Sequence, residues 1–243
     1  MTSIEIFKDP SSQTNAAIDL FISLAQAAIE ERGRFSAALS GGSTPSGLYA
    51  GLAEPEHRDM LDWTHVHLFF GDERHVPPDH PNSNFNMVQE KLFSKIPIPQ
   101  NNVHRVMAEL DPRLAAFNYE DQLRRFFVGE WPRFDLVLLG MGDDGHTASL
   151  FPRTAGLNEE QRWFIANFVP NLGEWRLTLS KNAINAARKI VVLVGGQSKA
   201  EMVAEVLSEN NSQVKKPIQM ISPVDGDCVW LLDREAAGSL PEL

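Results

Sequence analysis

The sequence predicts an α/β fold, a mostly parallel β-sheet with helices on both faces. Three observations carry that expectation. Short apolar runs alternate with stretches of helical periodicity along most of the chain. The run at 134–139 is apolar at every position but Asp135, as a strand covered on both faces requires. Gly-rich turns follow directly on several of the runs, where ligand-binding loops stand in open parallel sheets.

Ala17, Leu20, Phe21, Leu24, Ala28 and Ile29 recur at helical spacing, so residues 14–31 are read as an amphipathic helix. Phe35–Leu39 is the first strand. After a Gly-rich turn, residues 45–53 form a helix with Pro45 in its first turn. The acidic stretch 54–59 and the Pro clusters at 77–81 and 97–99 are read as loops. Val66–Phe70 is a second strand, followed by a helix around 83–94 and a short strand at 103–106. Asp111-Pro112 supplies a cap and first position for a helix over 112–127. Runs at 134–139, 163–169, 176–179, 190–194 and 229–232 complete the strands, with a helix at 197–208 between the last two. No repeat or linker divides the chain, and a single domain over 1–243 is expected.

Bulk properties narrow the function. The chain has 22 basic and 32 acidic residues and a net charge of −10, which speaks against general nucleic-acid binding. Cys228 is the only cysteine, so neither an internal disulfide nor a thiolate zinc cluster can form. No apolar segment approaches the ~20 residues of a membrane helix and the N-terminus has no secretory pattern, so a cytoplasmic protein with no membrane partner is expected. His65 and His67 alternate on a strand without a third ligand at metal spacing. His57, His75, His80 and His104 are read as solvated, the five tryptophans as packing residues, and Cys228 as a small buried hydrophobe.

Four segments carry candidate chemistry. S-G-G-S-T-P at 40–45 joins a strand to a helix. Gly41 and Gly42 let backbone approach a ligand, and the helix start with the Ser43 and Thr44 hydroxyls suits a phosphate; a plain capped turn is the other reading. G-D-E-R-H-V-P at 71–77, running on to Asn82, Ser83 and Asn84, places Asp72, Glu73 and Arg74 at a strand's carboxyl end. There they either orient a substrate or brace a salt-bridged turn. G-M-G-D-D-G-H-T-A-S-L-F-P at 140–152 holds His146, a residue type able to take a proton from water, with Asp144 placed to orient its ring. Arg176 in R-L-T-L and Lys199 in G-G-Q-S-K could complete a phosphate pocket by charge-assisted hydrogen bonds, or pair on the surface.

Taken together and in this order, S-G-G-S-T-P, D-E-R-x-V-P with the following S-N, G-M-G-x-D-G-H-T-A-S-L-F-P, R-L-T-L and G-G-x-x-K resemble the 6-phosphogluconolactonase family over about residues 5–233. The resemblance implies a Rossmann-like fold shared with glucosamine-6-phosphate deaminases and ribose-5-phosphate isomerase. It implies hydrolysis of 6-phospho-D-glucono-1,5-lactone, with no metal and no cofactor; the sequence does not set the oligomeric state, and a monomer or small homo-oligomer is expected. It assigns the general base to His146, with Asp72 and Arg74 beside it. It assigns the phosphate to the Gly42, Ser43 and Thr44 loop with Arg176 and Lys199. Arg74 or the backbone of the 140–146 turn is expected to hold the oxyanion. Two rivals come with it. The deaminases carry an acid shortly after the motif histidine, whereas Thr, Ala, Ser, Leu, Phe and Pro follow His146 here. A sugar-phosphate sensor would carry a DNA-binding segment, for which this chain has no room. One departure stands out: relatives often have a Lys/Pro-rich stretch before R-x-T, and this chain has P-N-L-G-E-W at 170–175.

Overall fold

A computed structural model describes residues 2–208 and 215–240. In chain order the regular elements are β1 (Thr2–Phe7), α1 (Pro10–Arg32), β2 (Phe35–Leu39), α2 (Ser43–Leu52), α3 (Pro55–Arg58), β3 (Val66–Phe70), β4 (Asp72–Arg74) and α4 (Asn84–Lys91). They continue with α5 (Pro112–Phe126), β5 (Leu136–Leu139), β6 (Phe164–Val169), β7 (Glu174–Leu179), α6 (Lys181–Asn185), β8 (Lys189–Val194), α7 (Ala200–Leu207) and β9 (Asp227–Asp233).

Six strands form a fully parallel sheet in the order β1-β9-β8-β5-β2-β3. The chain enters at one edge, crosses to β2, adds β3 outside it, then returns through β5 to build the other half. The reversal lies between β2 and β5, so the loops leaving these two strands diverge from a crevice at their carboxyl ends. That crevice holds the site. Buried Phe35, Ala37, Leu39, Leu136 to Leu139 and Ile190 to Val194 fill the sheet's core. Helix α1 packs on β1, β2, β9 and α2.

The helix at the N-terminus begins four residues earlier than its apolar spacing indicates. Asp9 accepts a hydrogen bond from Ser12 N–H at 2.7 Å and Pro10 takes the first position, a cap signal that outranks periodicity. Its far end is the left-handed Gly33, φ 73°. The stretch 54–59 contains the one-turn helix α3. The strand expected at 103–106 is reduced to one bridge between Val103 and Leu68.

The larger departure concerns 163–169 and 176–179. These segments do not join the parallel sheet. With β4 they form a separate antiparallel sheet, β4-β7-β6, in which Arg74 stands opposite Arg176. A hairpin turn at 170–173 joins β6 to β7, and a hairpin can only pair antiparallel strands. Gly71 links the sheets: its N–H bonds Leu39 O and its carbonyl receives Leu179 N–H, both at 2.8 Å. Helix α5 covers β6 and β7.

Three histidines read as solvated are not. His57 is half-buried, with Nδ1 2.9 Å from Gly51 O. His104 is buried, stacks on Phe69 with ring centroids 4.0 Å apart, and meets His67 Nδ1 at 3.3 Å through Nε2. Burial, then the neighbouring His67, pushes its pKa down to about 4. His75 is half-buried and bonds Leu110 O through Nε2 at 2.8 Å. Cys228 is buried, and burial raises its thiol pKa to about 11. Among the described residues no helix is long and apolar enough to cross a membrane.

Candidate active site

A cleft of about 340 Å³ opens above the carboxyl ends of the parallel strands. Its wall brings together Gly41, Gly42, Ser43 and Thr44 from the β2–α2 loop, Asp72 and Arg74 from β4, and His146 from the loop after β5. Lys199 reaches it from the loop after β8. Residues up to 158 positions apart in the chain thus share one concavity, because three loops and β4 each follow the carboxyl end of a parallel strand, β2, β3, β5 or β8.

The phosphate-loop candidate behaves as a helix start with spare donors. Gly42 caps α2 at φ 108°, a conformation other residues adopt only with strain. No side chain caps α2, and Ser43 and Thr44 N–H have no partner among the described residues, so they remain available to an anion. Gly41 has a different reason to be glycine. A Cβ there would lie 2.0 Å from Asn84 Oδ1.

The β4 segment separates its three ionisable groups by strand alternation. Asp72 and Arg74 face the cleft. Glu73, between them, points the other way and is buried, accepting from the N–H groups of Arg74, Asn84 and Phe85 at 2.8, 2.7 and 2.8 Å. Ser83 Oγ adds a fourth donor at 3.1 Å. Glu73 is therefore the anion at the start of α4 and braces the strand. Burial acts to raise its pKa, and this outweighs the opposing pull of the three N–H groups. Asp72 is fixed by Ser149 Oγ at 2.6 Å and by Asn84 Nδ2 at 3.3 Å. The Arg74 guanidinium donates to Asn82 O at 2.8 Å, and among the described residues its other N–H groups have no partner and are left for the cleft.

His146 stands in a closed turn. Gly142 N–H bonds His146 O at 2.9 Å and Gly145 N–H bonds Gly142 O at 3.0 Å. Asp144 Oδ1 lies 2.6 Å from His146 Nδ1 and accepts the His146 backbone N–H at 3.0 Å. With the carboxylate on Nδ1, that nitrogen carries the proton and Nε2 keeps its lone pair. Burial acts to raise the Asp144 carboxyl, but the bonds from the His146 backbone and ring outweigh it and hold the carboxyl below its ordinary range. Phe151 stacks on the imidazole with centroids 4.0 Å apart. Gly142 makes room for the ring, since a Cβ there would lie 2.0 Å from His146 Cε1.

Of the residues singled out from sequence, Asp144 acts on His146 from outside the wall, and Arg176 is not part of the wall. Arg176 lies beside Arg74 on the same face of the small sheet and donates to Glu174 Oε2 and Trp175 O. Glu174 belongs to the P-N-L-G-E-W stretch, so the segment that departs from the lysine-rich pattern supplies the partner of this arginine.

The model of the family described as glucosamine-6-phosphate isomerases/6-phosphogluconolactonase matches residues 8–230 of this chain. The chain belongs to that family. Among curated members, the 6-phosphogluconolactonase of Nostoc sp. is 38% identical over 242 residues, covering 98% of each chain. That of Synechocystis sp. is 42% identical over 217 residues and 88% of each. The solved 6-phosphogluconolactonase from Trypanosoma cruzi superposes with a TM-score of 0.88 at 30% identity, over 100% of this chain and 98% of its own. A monomeric glucosamine-6-phosphate deaminase, 21% identical with a TM-score of 0.80, shares the fold.

Within this family frame, the sequence reading left three neighbours without a role. Asn84 and Ser149 hold Asp72, and Asp143 pairs with Lys199 Nζ at 2.5 Å. All three lie inside the quoted motifs. The period-of-two reading of Asp72-Glu73-Arg74 would have separated brace from site without coordinates.

Proposed function

We propose that this chain hydrolyses 6-phospho-D-glucono-1,5-lactone to 6-phospho-D-gluconate, as in the oxidative pentose phosphate pathway, with His146 as general base. The observation that carries the reading is the Asp144–His146 pair, at 2.6 Å, on one wall of a cleft that also holds a helix start with free N–H groups and a lysine. A sugar phosphate spans such a site with its phosphate at Ser43, Thr44 and Lys199 and its reacting carbonyl near His146. Binding energy from the phosphate then orients the lactone.

His146 accepts a proton at Nε2 from a water that attacks C1, while Asp144 stabilises the imidazolium formed. The carbonyl oxygen becomes an oxyanion. Three backbone donors of the turn, Gly142, Gly145 and His146 N–H, are already committed within it, which favours Arg74 as the oxyanion partner. Collapse of the tetrahedral intermediate breaks the C1–ring oxygen bond, and His146 returns its proton to the departing C5 oxygen. The ring opens to the hydroxy acid, and no covalent enzyme intermediate forms. We place the activity in the cytoplasm, on the side of the membrane where a charged substrate that cannot cross a bilayer would be held.

The test is hydrolysis of freshly generated 6-phosphogluconolactone above its spontaneous rate, in chelator, with wild type beside His146→Ala. Rapid turnover lost in the variant is expected. Retention of turnover within a few-fold in His146→Ala would remove the base from this assignment.

A further inference from the structure

The lysine assigned to phosphate is already occupied. Lys199 Nζ lies 2.5 Å from Asp143 Oδ1, and both residues line the cleft. Asp143 has no visible structural task. Its side chain is 82% exposed and accepts from no backbone N–H and no other donor among the described residues. It differs in this from Asp144, which holds the histidine, and from Asp72, which Ser149 and Asn84 hold. Asp143 sits in the turn that carries His146, whereas Lys199 comes from the loop after β8. The pair therefore ties together, at the cleft, the loops that leave the neighbouring strands β5 and β8.

We propose that Asp143 is a specificity-determining residue, an internal counter-ion that holds Lys199 until the phosphate of a ligand replaces it. The inference rests on reading Lys199 as a phosphate ligand. A phosphate carries nearly two charges and three acceptor oxygens against the single charge of a carboxylate, so it wins the ammonium. The displaced Asp143 then stands beside a bound anion of like sign, which lowers the affinity of every phosphorylated ligand. When product leaves, Asp143 takes Lys199 back, and the lysine is not left as an uncompensated cation. Asp143 thus weakens retention of the phosphorylated product, in a chain whose net charge of −10 already opposes anion binding at long range.

The experiment is a double-mutant cycle of wild type, Asp143→Asn, Lys199→Ala and the double variant. Competitive inhibition constants are measured for inorganic phosphate, 6-phosphogluconate and unphosphorylated gluconate. Asp143→Asn is expected to tighten phosphate and 6-phosphogluconate by about two- to fivefold, the range of an exposed ion pair. Gluconate is expected to be unchanged, and the gain to vanish in the Lys199→Ala background. Unchanged constants would overturn the proposal. So would an equal gain without the lysine, or an equal gain for gluconate, since either marks a general field effect. A wild-type protein that hydrolyses no lactone would defeat the functional reading alone; calorimetric titration of inorganic phosphate into the same four proteins would still decide the counter-ion exchange.

Discussion

Gly142→Ala is the smallest change that should disable the site. The added methyl carbon would lie 2.0 Å from His146 Cε1, 2.1 Å from Nδ1 and 2.8 Å from Nε2. Ordinary carbon contacts need about 3.5 Å, so the imidazole must retreat by roughly 1.5 Å. It has somewhere to go, because the side chain is part-exposed, but the 2.6 Å bond to Asp144 and the stack on Phe151 cannot both survive. Misplacing a catalytic group by about 1 Å costs on the order of 100-fold in rate, which is about 2.7 kcal/mol of transition-state stabilisation. The backbone itself tolerates alanine, since Gly142 does not occupy the left-handed region. The variant should therefore unfold within a few degrees of wild type while kcat falls about 100-fold or more. Steady-state kinetics beside thermal unfolding separates the two effects. The double variant Gly142→Ala/His146→Ala should be no slower than His146→Ala, because both changes remove one function. A Gly142→Ala enzyme with kcat within a few-fold of wild type would refute the reasoning, and with it the role of ring placement.

Three further outcomes are expected. Glu73→Ala strands the N–H groups of Arg74, Asn84 and Phe85 and should cost about 3–5 kcal/mol in urea unfolding, with kcat/KM reduced through Asp72 and Arg74; a loss under 1 kcal/mol would deny the brace. His104 is held neutral in the folded state with a pKa near 4, against 6.5 ordinarily. The unfolded chain therefore binds the extra proton, and stability present above pH 6.5 is lost as pH falls towards 4, by at most about 3 kcal/mol. His104→Phe, which can keep the stack on Phe69, should flatten that acid limb; an unchanged pH dependence of unfolding would exclude His104 as its source. Lys199→Ala should raise KM for the phosphorylated lactone more than Arg176→Ala does, because Arg176 is tied to Glu174 outside the cleft wall; the reverse order would move the phosphate towards β7.

Local signals wrote much of this protein plainly. Asp111 accepts from Arg113 and Leu114 N–H with Pro112 behind it, as the dipeptide announced. The run at 134–139 contains β5, fully buried at the sheet's centre. Where the local signal was weak the reading missed. β1 is a largely exposed edge strand, and only Ile4 and Ile6 alternate within it. Its existence depends on pairing with β9, at the opposite end of the chain.

The candidate site divides along the same line. Loop chemistry is legible in sequence because glycine, histidine and acidic residues at strand ends have local consequences: Gly42 turns at positive φ, and Asp144 reaches His146 two residues away. On its own, the sequence thus determined the fold class and marked out the four candidate segments, one of which carries Asp144 and His146 two positions apart. Tertiary structure alone decided that β4, β6 and β7 form a second sheet and that Asp143 holds Lys199. It also decided that His104 is buried. The physical reason is range. Dihedral preference and capping act within a few residues, whereas burial and strand pairing, and an ion pair such as Asp143–Lys199 at 56 positions, join groups far apart in the chain, which local spacing does not encode.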